Sequence, residues 1–203
     1  MDHIEKELEA GRAVILPTET VYGIFAKALD QEAVDYIYEL KRRPRDKALN
    51  LNVADEKTIR IYSKNQPSYL TKLIHSFLPG PLTIILQAND KVPDWIHSGL
   101  DTVGFRIPAH PKTLDLIRKF GPLVGPSANL SGHASGTKYR AIVSEFDQVV
   151  PGIEDDDFLT GQDSTILDIS SSKSRILRQG SITKADLLAQ VPELSFEEDE
   201  LPQ

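Results

Sequence analysis

"RAVILPTETVYG", residues 12–23, sets a compact apolar run against a proline and then a polar stretch of hydroxyls with one carboxylate. The run 13–16 reads as a short buried strand stopped by Pro17, because proline cannot donate to a strand ladder. "TETVYG" then supplies Thr18, Glu19 and Thr20 where the spacing predicts a strand handing over to a helix. The same pattern recurs downstream. "PLVG" (122–125) runs into "PSANLSG" (126–132), and "TVGFRIPAH" (102–110) carries Arg106 within an otherwise apolar strand. Helical periodicity separates these strands. Residues 30–41 show an Asp30 cap and apolar Ala33, Val34, Ile37, Tyr38 and Leu40, and a further helix is predicted over 111–120. Strand patterns alternate with helix patterns throughout, which predicts the α/β class.

The remaining segments follow suit. Strands are expected in "ALNLNV", "PLTIILQA", "QVVP", "STILDI" and "RILRQG". Helices are expected in "MDHIEKELEAG", "DEKTIRIYSK", "QPSYLTKLIHSFLPG", around 137–145 and in "TKADLLAQ". With no internal repeat and no Pro/Gly/Ser-rich linker, a single domain over 1–190 is expected, followed by an acidic, flexible tail over 191–203.

The net charge is −7 over 203 residues. Glu193, Glu197, Glu198, Asp199 and Glu200 supply five of those negative charges, so the rest of the chain stands at −2. A nucleic-acid-coating basic surface is not supported, but a local positive cavity is compatible with this balance. The absence of cysteine removes disulfides and thiolate metal ligands. No apolar signal-peptide core and no apolar run near the ~20 residues of a membrane span is present, so a soluble, cytoplasmic protein is expected. Neither GxxxxGK[ST], GxGxxG, HExxH nor GxSxG occurs, and the histidines are scattered.

Against this background "KRRPRDK" (41–47) is unusual, with five cations in seven positions. Pro44 should end the preceding helix, which places the cluster at a helix C-terminus, where the dipole favours cations by ~0.3–1 kcal/mol each. A solvated helix end explains part of it. The alternative is an anion site. Ser127, Asn129 and Ser131 read singly as caps and turn formers; taken with the cluster and Arg106, they favour a phosphate or carboxylate site. A helix starting after Ser127 or Asn129 would add its N-terminal field there. No nucleophile or acid–base pair is evident, so the chemistry that fits is transfer driven by positioning and charge stabilisation.

"PTETVYG", "KRRPRDKAL", "FLPGPLT", "GFRIPAH", "PSANLSG", "GQDSTILD" and "ILRQGSI" occur in the order found in the YrdC/YciO family, and the chain resembles that family from about residue 12 to 182. The resemblance implies a twisted, largely mixed sheet flanked by helices around a positively charged central cavity. It also implies a threonylcarbamoyl-AMP synthase, a nucleotidyltransferase joining L-threonine, bicarbonate and ATP with release of pyrophosphate. Mg²⁺ is expected as the counterion of ATP, with no protein-built metal site. The product would pass to a tRNA threonylcarbamoyl-transferase complex.

Carried over by position, the catalytic set implied is Lys41, Arg43, Ser127 and Asn129. ATP contacts are implied at Arg43, Lys47, Thr102, Ser127, Ser135 and Arg178. A threonine pocket is implied at Thr18 or Thr20, Asn52, Arg106 and Ser164. Departures from the family pattern are Ala48 where a proline is usual, Asn52 where some members carry histidine, and Gln179 in place of a common proline. No second domain follows, so a short, single-domain form is expected. Weaker alternatives are an RNA-binding module contacting tRNA or double-stranded RNA, a YciO-like paralogue with weak synthase activity, and carbamoyl transfer in hydrogenase maturation.

Overall fold

The chain opens with a helix, α1 (His3–Glu9), capped by the Asp2 side chain on the Glu5 amide, and turns into β1 (Val14–Leu16). The computed structural model describes residues 2–196. β1 does not pass to a helix. It forms an antiparallel pair with β2 (Gly23–Lys27), whose apolar residues Ile24, Phe25 and Ala26 are fully buried. The expected helix therefore starts later, at α2 (Gln31–Lys41), where Asp30 accepts from the Ala33 amide. α2 ends ahead of Pro44. Arg42 adopts the left-handed conformation (φ 50°) and its amide turns back to the Glu39 and Tyr38 carbonyls.

The next elements are β3 (Leu51–Asn52), α3 (Glu56–Tyr62), β4 (Ser63–Lys64), α4 (Leu70–Phe77), β5 (Leu82–Ala88), α5 (Asp94–His97) and β6 (Thr102–Arg106). They are followed by α6 (Pro111–Phe120), β7 (Leu123–Val124), α7 (Tyr139–Val143), a 3₁₀ turn at Asp156–Phe158, β8 (Thr165–Asp168), β9 (Arg175–Arg178) and α8 (Lys184–Gln190). "QVVP" forms no strand: Val149 is almost fully exposed. The chain is instead held beside β1 by the Ile15 amide on the Pro151 carbonyl and the Ile153 amide on the Ile15 carbonyl.

Among the described residues the strands form one sheet in the order β1-β2-β7-β3-β6-β5-β8-β9, with β4 pairing β5. β3 with β6 and β5 with β8 are parallel, the rest antiparallel, so the sheet is mixed as expected. The larger of two apolar clusters packs α2, α4 and α8 against the sheet through Ile37, Leu70, Leu73, Phe105 and Leu187; the smaller joins α1 and α6 through Leu8, Phe25 and Ile117. Burying side chains of this size stabilises by ~1.5–3 kcal/mol each. The packed chain runs past the expected boundary at 190. Val191 and Leu194 are buried, and the Ser174 amide donates to the Ser195 carbonyl. The rest of the expected tail, 197–203, lies outside the described residues.

Candidate active site

A cavity of about 280 Å³ opens where β3, β6, β7 and β9 end and where β2 and β8 begin. Thr18, Arg43, Asn52, Arg106, Ser127, Ser164 and Arg178, all singled out from the sequence, line it. Tyr22, Asn50, Thr83 and Asp163 line it too. Register explains much of the convergence. β3 and β6 run parallel with Asn52 opposite Arg106, and β5 beside β8 brings Thr83 within 3.0 Å of Ser164. Gly125 keeps one wall thin: a Cβ there would strike the Phe25 ring and the Asn52 amide.

On the first wall, Arg106 donates Nη2 to Thr20 Oγ1 at 2.7 Å and to Thr18 Oγ1 at 3.4 Å. The two threonine hydroxyls lie 2.9 Å apart, and Thr18 also donates to the Val21 carbonyl, which fixes the turn. Thr20 thus sits behind Thr18 as a support for Arg106. Glu19 accepts from the same guanidinium at 2.6 Å, with both side chains largely buried. Arg106 Nε is buried without a partner. On another wall Arg178 grips Ser164 twice, Nε to the carbonyl at 2.9 Å and Nη2 to Oγ at 3.0 Å.

Lys41 behaves unlike the rest of its cluster. It is 1% exposed, and its ammonium donates to the carbonyl oxygens of Ser127 and Asn129. Burial chiefly, with the nearby Arg43 charge adding to it and Glu145 opposing, brings its pKa down to about 8. Arg43 braces its own loop, Nε to the Lys47 carbonyl at 3.2 Å and Nη2 to the Ala48 carbonyl at 2.8 Å, while facing the cavity. Arg42 and Arg45 turn outward to Asp147 and Asp35.

No helix begins after Ser127 or Asn129. The segment 125–138 is a series of turns, and α7 starts only at Tyr139. Asn129 instead ties the turn together, Nδ2 donating to the Leu130 and His133 carbonyls at 2.9 Å each. Among the described residues its Oδ1 and the Ser131 hydroxyl are buried without protein partners. Polar atoms so placed are rare in folded proteins.

Thr20, Lys41 and Asn129 stand behind the cavity lining, and three further predicted positions lie apart from it. Ser135 reaches it at one remove through Asp163, at 3.3 Å. Lys47 is exposed, and its carbonyl, not its ammonium, makes the contacts, to Tyr38 and Arg43. Thr102 begins β6 on the same face as Arg106 but four residues away, ~13 Å along a strand. The residues missed from sequence are Glu19, Tyr22, Asn50, Thr83 and Asp163. Glu19 and Asp163 fall inside the quoted segments "PTETVYG" and "GQDSTILD", and their signal was a carboxylate next to a hydroxyl residue. Asn50 and Thr83 gave no signal beyond strand periodicity.

A protein-family model described as "Telomere recombination", covering the Sua5, YciO and YrdC proteins, matches residues 6–180. The chain belongs to this family. Threonylcarbamoyl-AMP synthase of Pyrococcus abyssi is 38% identical over 177 residues, 86% of this chain and 52% of the relative. Threonylcarbamoyl-AMP synthase of Vibrio campbellii is 31% identical over 183 residues, 88% of this chain and 98% of the relative. The crystal structure of Pyrococcus abyssi Sua5 complexed with L-threonine superposes with a TM-score of 0.88 at 35% identity, covering 96% of this chain and 58% of that one. The chain thus spans little more than half the length of its Pyrococcus relative. The α/β fold of the Pyrococcus structure is the fold found here.

Proposed function

We propose that this chain is an L-threonylcarbamoyladenylate synthase, a cytoplasmic nucleotidyltransferase acting on L-threonine, bicarbonate and ATP. The observation that carries the reading is the junction of two anion seats in one cavity. Arg106 with Thr18, Asn52 and Ser164 suits an amino acid carboxylate and hydroxyl. Arg43, Ser127 and Arg178, backed by Lys41 and Asn129, suit phosphates. Guanidinium forks match both groups in geometry. The names of the relatives and the threonine bound by the Pyrococcus protein support the same reading.

In this proposal the threonine amine takes up CO₂ derived from bicarbonate, giving N-carboxy-threonine. A carbamate oxygen then attacks the α-phosphorus of ATP, the bond to the β-phosphate oxygen breaks, and pyrophosphate leaves. The chain's part is to hold the reactants in line and to stabilise charge developing on the phosphates. Lys41 does this partly through the backbone, by fixing the 127–129 segment that presents the Ser127 hydroxyl. Lys47, Ser135 and Thr102 are proposed as the contacts for the parts of ATP that the cavity lining does not take up. Mg²⁺ enters with the ATP phosphates; the cavity wall offers it one carboxylate, Asp163.

The product, a mixed anhydride labile in water, is consumed by a tRNA threonylcarbamoyl-transferase complex. Direct contact with tRNA or double-stranded RNA is the weaker part of the proposal, because Arg42 and Arg45, the outward cations of the basic stretch, are paired with Asp147 and Asp35. The test is mass spectrometry of the product formed from ATP, L-threonine and isotope-labelled bicarbonate. The label should appear in threonylcarbamoyl-AMP; a product without it overturns the proposal.

A further inference from the structure

Glu19 does not line the cavity, yet it meets the guanidinium on which the carboxylate seat depends. One oxygen accepts from Arg106 Nη2 at 2.6 Å and the other from the Ala109 amide at 2.8 Å. Its backbone carbonyl accepts from Thr160 at 3.1 Å, and that of Thr20 accepts from Gly161 at 2.8 Å. The residue therefore locks together three segments that build the pocket: the 17–23 turn, the end of β6, and the approach to Asp163 and Ser164. A carboxylate pinned at both oxygens allows Arg106 little freedom to swing.

The three cavity guanidiniums also differ in charge compensation. Among the described residues Arg43 has no carboxylate partner, Arg178 lies 3.9 Å from Asp163, and Arg106 is in contact with Glu19. Positive potential is therefore lowest at Arg106. A phosphate, with charge approaching two, gains least at a guanidinium that a carboxylate already neutralises, whereas a single carboxylate is still held by directed hydrogen bonds.

We propose that Glu19 is a positioning and selectivity residue: it fixes Arg106 and cancels its charge, so that this seat takes an amino acid carboxylate and rejects phosphate. The proposal rests on the reading of the cavity given above.

The test is calorimetric titration of the full chain with L-threonine, with and without inorganic phosphate, on the native protein, Glu19→Gln and Glu19→Asp. The native protein should bind threonine with an affinity that phosphate leaves unchanged. Glu19→Gln removes the charge and puts an NH₂ donor where one of the two acceptors stood, so Arg106 and the Ala109 amide can no longer both be held. Threonine should bind about tenfold more weakly through the lost bracing, and phosphate should now compete with it. Glu19→Asp keeps the charge but retracts it; threonine should weaken while phosphate remains excluded. The Asp variant also keeps the question answerable should the Gln variant fail to fold. Native threonine binding that neither variant alters overturns the role of Glu19 alone, as does phosphate competition in the native protein. Absence of threonine binding by the native protein overturns the reading of the cavity, and this proposal with it.

Discussion

Lys41 and Ser127 are joined across 86 positions of sequence by a hydrogen bond, the Lys41 ammonium donating to the Ser127 carbonyl. The neighbouring Asn129 carbonyl accepts from the same ammonium. The first cation of the basic stretch is thus an internal cross-link between the end of α2 and the turn after β7. The stretch is divided by role: Lys41 inward, Arg43 toward the cavity, and Arg42 and Arg45 outward to acids.

Burial of that ammonium predicts a pH signature. Its pKa, about 8, lies below the ordinary 10.5, so between these values the folded protein binds fewer protons than the unfolded chain. Stability should therefore rise with pH across about 8 to 10.5, by on the order of 3 kcal/mol from this group. Urea unfolding at about pH 7 and about pH 9.5 should show this rise in the native protein relative to Lys41→Met. A parallel pH response in the two proteins would contradict it.

The same titration should act on the nucleotide. Above pH about 8 the charge at Lys41 is lost, and the KM for ATP should climb while the KM for threonine changes less. Steady-state kinetics across this range provide the check.

Arg43→Ala should separate chemistry from stability. The side chain braces only its own loop, through the Lys47 and Ala48 carbonyls, so about 1 kcal/mol or a few degrees of Tm is expected to be lost. Turnover should fall by about 10²–10³-fold if the guanidinium stabilises charge in the transition state. Thermal melts beside kcat measurements decide between this and a purely structural role.

Asn129→Asp would replace an amide that donates to two carbonyls, those of Leu130 and His133, with oxygens that only accept. The turn should lose about 1–3 kcal/mol, with faster amide exchange confined to about 127–135. Gly125→Ala should be costly for another reason, since the added methyl meets the Phe25 ring and the Asn52 amide. Overpacking of about 1–3 kcal/mol and a shifted cavity wall are expected, read from Tm and from threonine affinity.

Much of this was legible in the chain. Strand and helix periods gave α2 and α6 nearly to the residue, because capping by Asp30 and the N-terminal Pro111 are local signals. β2 was missed, since "GIFAK" is too short to show a period and its strand character comes from pairing with β1 and β7. "QVVP" misled for the opposite reason: its composition suits a strand, but among the described residues no neighbour pairs with it through a ladder. The cavity side chains were recognisable as hydroxyls and cations after apolar runs. What those patterns could not disclose was orientation, which depends on contacts between distant segments. So Lys41 was not foreseen as a buried cross-link, and no helix proved to begin at Ser127.

The central claim is that the two anion seats work together on one reaction. The most direct test is pyrophosphate release by the purified protein with ATP and Mg²⁺, adding L-threonine and bicarbonate singly and together. Release is expected only when both are present, and Arg106→Ala should abolish it. Release that proceeds without threonine, or none in the complete mixture, would contradict it.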